Sequence, residues 1–152
     1  MIFMKILKLP FIASVMLASP LVFADSPDVE FYTTNPDMPF SEAVRVDNML
    51  YLSGQLGYDP ETKKLVEGGI AAETRKTMDG IKATLEKYGS SLSEVVKCTV
   101  FLADIKEWAA MNEVYVTYFP EHPPARSALG TNGLALGART EIECIATVKD
   151  PG

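Results

Sequence analysis

The stretch EIECIATV, residues 141–148, decides the fold predicted for this chain, because its apolar and polar residues alternate. Successive side chains of a β-strand point to opposite faces of a sheet, so one face of this strand is apolar: Ile142, Cys144, Ala146 and Val148. The other face mixes acidic and apolar side chains: Glu141, Glu143, Ile145 and Thr147. We therefore expect the chain's own helices to cover one face, and another subunit to bury part of the other.

Residue patterns upstream of this strand predict six further elements. Asp47-Asn48 suits a tight hairpin turn between two short strands. The predicted order is β-β-α-β-α-β-β, with elements at 44–46, 49–53, 70–88, 95–102, 105–119, 125–130 and 141–148, and loops at 57–64 and 132–138. This order predicts an α+β fold in which two helices lie on one face of a single sheet.

Both helices are predicted from apolar residues at spacings of three and four. Gly89 ends the first helix, whereas Asp104 can cap the start of the second and Pro120 ends it. We expect the apolar stripe of the second helix to be buried: Ile105, Trp108, Met111, Tyr115 and Phe119.

The first 24 residues have the layout of a secretory signal peptide, with Lys5 and Lys8 before an uncharged apolar run. We expect cleavage before Asp25, with an uncleaved anchor as the alternative, and export to a periplasm without membrane attachment. Residues 25–39 are expected to lie extended on the surface, and residues 40–152 to form the domain. Loss of both lysines leaves 12 basic and 20 acidic residues, and a net charge of −8 disfavours nucleic-acid binding.

Cysteine and histidine are too few and too scattered for a metal site, so we expect no metal ligands. Cys98 and Cys144 lie in apolar, strand-like runs and are expected to be buried free thiols, with a disulfide as the alternative in an exported protein. His122, the single histidine, is expected to be a loop residue and not a catalytic base.

Arg126 and Glu141 are the candidate catalytic residues. The planar guanidinium of Arg126 matches a small carboxylate in two parallel hydrogen bonds, although a surface salt bridge is the alternative. Glu141 could act as a general base, and Glu143 points the same way, although either could simply face solvent. If the strands at 125–130 and 141–148 pair, the arginine and the carboxylate share one small site.

Three further residues could line such a site. Gly54 would let backbone N–H groups approach a ligand, and Ser53 could hydrogen-bond to it, although a plain strand end fits equally well. Asn112 interrupts the apolar side of the second helix and could reach a ligand or cap a neighbouring backbone group.

Five segments together resemble the YjgF/RidA family: LSGQ at 52–55, KCTVFLAD at 97–104, MNEVYVTYF at 111–119, PPARSAL at 123–129 and EIECIA at 141–146. The resemblance implies a chorismate-mutase-like fold that forms a homotrimer with a cleft at each subunit interface. It also implies hydrolysis of enamines or imines, derived from amino acids, to 2-keto acids and ammonia without a cofactor.

Carried over by position, the resemblance assigns the substrate carboxylate to Arg126 and the attacking water to Glu141. It places Ser53, Gly54 and Asn112 beside the substrate. Phe40 stands where well-studied members have a tyrosine, and Ala128 where many have a cysteine. Two alternatives to the deaminase stay open: a non-catalytic module that binds small carboxylates or 2-keto acids, and a holdase-like interaction protein.

Overall fold

The computed structural model describes residues 26–149. The signal peptide expected at 1–24 lies outside these residues. In chain order the elements are β1 (Val29–Tyr32), β2 (Ala43–Val46), β3 (Met49–Leu52), β4 (Gln55–Leu56), β5 (Tyr58–Asp59), β6 (Lys64–Leu65), α1 (Gly69–Lys87), β7 (Val95–Leu102), α2 (Trp108–Tyr115), β8 (Ala125–Gly130) and β9 (Thr140–Thr147).

Seven strands form one sheet in the order β1-β2-β3-β9-β7-β8, and β4 also pairs with β9. The pair β7–β8 is parallel and the other pairs are antiparallel. Helix α1 packs against α2, β4 and β9. The α+β class is confirmed, because this part of the chain consists of two helices, one seven-stranded mixed sheet and the small sheet β5–β6.

The alternation in β9 sorts its side chains as the sequence predicts. The apolar face is buried in the core, where Ile142 and Ala146 are fully inaccessible to solvent. On the opposite face Glu143 is exposed, and Glu141 and Ile145 are half-buried. Since β9 is central in the sheet, its two faces define a helix-covered face and an open face of the whole domain.

Four strands lie where the sequence predicts none, and one of them is β4, which pairs with β9 just after the predicted end of the second strand. β1 falls in the segment 25–39 that is expected to lie extended on the surface, and it pairs with β2 along the sheet edge, whereas residues 34–39 run through bends and a turn. β5 and β6 form a small hairpin within the predicted loop at 57–64. These strands are short and carry little alternation, so pairing with a neighbour defines them more than their own sequence does.

The second helix is shorter than predicted, because single 3₁₀ turns at Ile105–Glu107 and Val116–Tyr118 flank α2. Asp104 caps the first of these turns as expected, since its side chain accepts a hydrogen bond from the Lys106 backbone N–H. The stripe expected to be buried is only partly so, with Ile105 49% exposed and Trp108 41% exposed. The core therefore covers only the C-terminal part of this stripe: Met111, Tyr115 and Phe119.

The expectation of two free thiols is wrong, because Cys98 and Cys144 form a disulfide. The two residues are direct partners in the β7–β9 register, with their Cα atoms 4.1 Å apart, and both are buried. Their separation of 46 residues gives no hint of this pairing, which only the register of the two strands creates.

Candidate functional site

A cleft of about 220 Å³ opens where β3 ends, beside the segment that precedes β2. Three of the candidate residues line this cleft: Phe40, Ser53 and Gly54. Phe40 is 52% exposed and therefore presents its ring at the surface of the cleft. The rest of the lining comes from the N-terminal segment, β4 and α1: Thr34, Asn35, Met38, Glu42, Gln55 and Thr84.

A β-bulge places Ser53 and Gly54 at this cleft. Tyr51 pairs with Ile145 and Gln55 pairs with Ile142, so the β3–β4 side carries one more residue than β9 over the same length. Such an extra residue bends the strand and re-aims its side chains. The Ser53 hydroxyl donates a 2.6 Å hydrogen bond to the Ser41 carbonyl, which ties the strand end to the residues before β2.

Glu141 lies directly against Gly54. A Cβ built on Gly54 would come within 2.9 Å of the Glu141 carboxyl carbon, so only glycine leaves room for this carboxylate. Burial of Glu141, together with the negative charge of nearby Glu143, raises the pKa of Glu141 above its ordinary value. Within residues 26–149 its carboxylate has no hydrogen-bonding or ion-pair partner, so it is free to interact with a water or a ligand.

Glu42 fixes one wall of the cleft. Its carboxylate accepts hydrogen bonds from the hydroxyls of Thr34 (3.1 Å) and Tyr88 (2.6 Å) and from the ammonium of Lys87 (2.7 Å). Burial opposes ionisation, but these three donors outweigh it, so the pKa of Glu42 lies below its ordinary value. The stacked rings of Tyr32 and Tyr88, 4.2 Å between centroids, add to the same contact between the N-terminal segment and α1.

Arg126 lies on the helix-covered face of the sheet. In the β7–β8 register it is the partner of Cys98, whose disulfide faces the core. Its neighbour Ser127 points to the open face, where it accepts a 2.8 Å hydrogen bond from the Lys97 ammonium. Ala128 is half-buried on the same face as Arg126, as the partner of buried Val100.

Two aromatic rings of α2 surround the Arg126 head group. The guanidinium carbon lies 4.6 Å from the Tyr115 ring centroid and 5.6 Å from that of Trp108. Asn112 is four residues after Trp108 and three before Tyr115, so it belongs to the same face of the helix. Among residues 26–149 Arg126 makes no hydrogen bond or salt bridge, so the surface ion pair considered as an alternative is absent there.

The structure thus separates the candidate residues into two groups. The first set of residues, named the carboxylate group after Glu141, comprises Phe40, Ser53, Gly54 and Glu141. The second set, named the arginine group after Arg126, comprises Asn112, Arg126 and the two aromatic rings. The strands of Arg126 and Glu141 do not pair, because β7 lies between β8 and β9. From the registers and ordinary strand spacings the two Cα atoms are roughly 14 Å apart, with side chains on opposite faces, so one chain does not bring them into a single small site.

The sequence analysis does not identify Glu42 as a residue of the cleft, nor the contacts of Trp108 and Tyr115 with Arg126. The expected burial of the two aromatics holds for Tyr115 and fails for Trp108, and their spacing with Asn112 puts all three on one face of the helix. His122 lies exposed in the loop before β8, as expected. In the part of the chain that the structure describes, no three histidine, cysteine or acidic residues are placed to hold a metal ion, and no helix is long and apolar enough to cross a membrane.

Residues 33–148 match the family model described as endoribonuclease L-PSP. The chain is 45% identical over 108 residues to the goat (Capra hircus) protein named 2-iminobutanoate/2-iminopropanoate deaminase, covering 71% of this chain and 79% of the relative. It is 44% identical over 111 residues to a RutC family protein of Pyrococcus abyssi, covering 73% and 87%. The crystal structure of RidA from the Antarctic bacterium Psychrobacter superposes with a TM-score of 0.70 at 42% identity, covering 75% of this chain and 92% of that one.

Proposed function

The chain belongs to the YjgF/RidA family, and from that premise we propose that it hydrolyses enamines and imines of amino-acid origin to 2-keto acids and ammonia. The family includes 2-iminobutanoate/2-iminopropanoate deaminases that share about 45% identity with this chain. The observation that carries the proposal is that the charged groups of Arg126 and Glu141 are half-buried without a charged partner within residues 26–149.

The proposed reaction begins when the Arg126 guanidinium binds the substrate carboxylate with two parallel hydrogen bonds. The adjacent C=N carbon is then held beside a water that donates a hydrogen bond to Glu141. As the water oxygen bonds to this carbon, Glu141 takes the proton, and the C=N bond becomes a C–N single bond. The imine reacts in its protonated form, so that Glu141 returns the proton to the neutral nitrogen of the resulting carbinolamine. The C–N bond then breaks and ammonia leaves as the C=O bond of the keto acid forms, and the hydroxyl proton passes to Glu141 and on to the solvent.

A pocket shared between two subunits reconciles this reaction with the separation of the two groups. We propose a homotrimer in which the arginine group of one subunit faces the carboxylate group of the next. The open sheet face supports such an assembly, because it presents several apolar side chains: Tyr51, Phe101, Leu129 and Ile145. A lone subunit would have to leave these groups against water.

Binding without turnover is the second candidate, and Phe40 is the residue that favours it. Its ring lines the cleft but offers no hydroxyl to orient a water or a substrate nitrogen. RNA cleavage, which the name of the family model suggests, is not part of the proposal. The net charge of −8 beyond residue 24 repels a phosphate backbone.

We also propose that the protein acts in a periplasm. The signal-like residues 1–24 support this proposal, and so does the disulfide between Cys98 and Cys144, since disulfides persist in oxidising compartments.

Ammonia release tests the proposed function. An amino-acid oxidase generates the imine in place, and the protein is expected to accelerate ammonia formation. Arg126→Ala should abolish the acceleration, and Arg126→Lys should recover little because an ammonium lacks the planar fork. Rates equal to buffer for wild type and Arg126→Ala alike would refute the enzyme. Calorimetric binding of 2-oxobutanoate without turnover would instead select the binding module.

A further inference from the structure

The Arg126 head group lies against two aromatic rings and not against a carboxylate. Among the described residues its recorded side-chain contacts are with the faces of Tyr115 and Trp108, at 4.6 and 5.6 Å from the ring centroids. Both distances lie within the range in which a ring face attracts a cation. The same residues offer no acidic partner that would turn the guanidinium another way.

Unlike a salt bridge, contacts with aromatic rings leave the N–H groups of the guanidinium available for a ligand. A carboxylate partner occupies the N–H groups of a guanidinium, which all point outward in its plane. A ring face attracts the cation while forming no conventional hydrogen bond to those N–H groups. Arg126 is therefore restrained and yet keeps its donors for a ligand.

The Tyr115 ring is itself held firmly. It is 3% exposed and packs against Phe119 at 5.0 Å between centroids. Its hydroxyl is sealed from solvent without a hydrogen-bond partner among residues 26–149. Burial raises the pKa of Tyr115 to about 12, although nearby Arg126 acts in the opposite direction, so the phenol stays neutral and meets the guanidinium through its ring face.

We propose that Trp108 and Tyr115 are positioning residues that hold the Arg126 guanidinium in the orientation that receives the carboxylate of a 2-imino or 2-keto acid. This inference rests on the proposed function, because it assigns that carboxylate to Arg126. It adds two residues that make no contact with the reacting C=N bond and act through the arginine.

The test compares Trp108→Leu with Trp108→Phe, and Tyr115→Leu with Tyr115→Phe. Calorimetry measures 2-oxobutanoate affinity, and the oxidase-coupled assay measures KM and kcat. Loss of one ring contact is expected to weaken affinity and raise KM by about three- to tenfold with kcat nearly unchanged. The phenylalanine variants should keep nearly wild-type values, because they retain an aromatic face.

Folding is checked by circular dichroism and thermal unfolding for every variant. Trp108 is 41% exposed, so its variants are expected to fold even if Tyr115→Leu does not. Val116→Ala serves as the matched control, since it removes a 49% exposed apolar side chain that directly follows α2 and should change nothing.

Each outcome decides between the two proposals. Folded leucine variants with wild-type affinity and KM would overturn the positioning role, even if they lost thermal stability. If the ring substitutions weaken 2-oxobutanoate binding as expected but the wild type releases no ammonia, the deaminase proposal is refuted and the positioning role is supported. A wild type that neither binds 2-oxobutanoate nor releases ammonia would overturn both.

Discussion

Glu141 has the environment of a proton-transfer group. It is half-buried, lies against Gly54 and shares the open face with Glu143, and burial is the larger of the two causes that raise its pKa. Only the ionised form of a carboxylate can accept the proton of the water. When the pKa of the base is raised, acidification therefore protonates and inactivates it at a higher pH than usual. Two predictions follow from this environment, one from charge and one from shape.

Glu143→Gln should shift the acid limb of the rate–pH profile to lower pH. Removing the neighbouring negative charge makes ionisation of Glu141 easier, which lowers its pKa and keeps the base active in more acidic solution. The shift should be partial, because burial remains. The measurement is kcat/KM against pH, with Glu86→Gln on the exposed side of α1 as the charge-removal control. An acid limb that stays in place would argue that Glu141 is not the titrating base.

Gly54→Ala should lower kcat/KM roughly 10- to 100-fold, because the new methyl group displaces the Glu141 carboxylate from its position. The atom it would meet is the far end of a flexible side chain, so the backbone can stay where it is. Thermal unfolding should therefore change little. An active Gly54→Ala variant would show that catalysis does not need the carboxylate at this place.

At the scale of elements, β7 lies between the strands that carry the two halves of the proposed site. On one side β7 pairs with β9, which carries Glu141, and on the other side it pairs with β8, which carries Arg126. The disulfide joins β7 to β9 at the centre of this arrangement. A covalent link between two central strands restricts the unfolded chain far more than it alters the folded sheet.

The double variant Cys98→Ala/Cys144→Ala should lower the free energy of unfolding by about 4 kcal/mol, the chain-entropy value for a loop of 46 residues. Urea unfolding at equilibrium measures this change. Dithiothreitol should destabilise the wild type by a similar amount and leave the double variant unaffected, which separates the bond from other effects of the reductant. Equal unfolding midpoints for oxidised and reduced wild type would contradict a stabilising role.

At the scale of the whole molecule, the sheet keeps the Arg126 and Glu141 side chains on opposite faces. No rotation of side chains can bring them together across β7, because the sheet itself stands between them. A second copy of the chain can, since each subunit of a closed ring presents one group to each neighbour. The arrangement predicts that activity belongs to the assembly and not to a single chain.

Complementation tests that arrangement. Arg126→Ala and Glu141→Gln should each be inactive alone. After the two proteins are unfolded together and refolded at equal amounts, about a quarter of the interfaces should combine an intact arginine with an intact glutamate if chains assemble at random. Ammonia release near a quarter of the wild-type rate is therefore expected. No recovery from mixed oligomers, verified by sedimentation, would place both groups within one subunit's site or exclude the site altogether.

Local residue patterns are sufficient to predict the elements that depend on neighbouring residues. The alternation of β9, the apolar spacing of α1, the hairpin at Asp47-Asn48 and the cap at Asp104 all follow from local periodicity and turn chemistry, and the structure contains each of them. The family resemblance also identifies Arg126 and Glu141 as the candidate catalytic residues. Tertiary structure alone decided that β7 separates their strands, that Cys98 meets Cys144, and that Trp108 and Tyr115 surround the guanidinium. The physical reason is that strand order and register are chosen by packing of the whole core, among pairings that local sequence leaves nearly equal in energy.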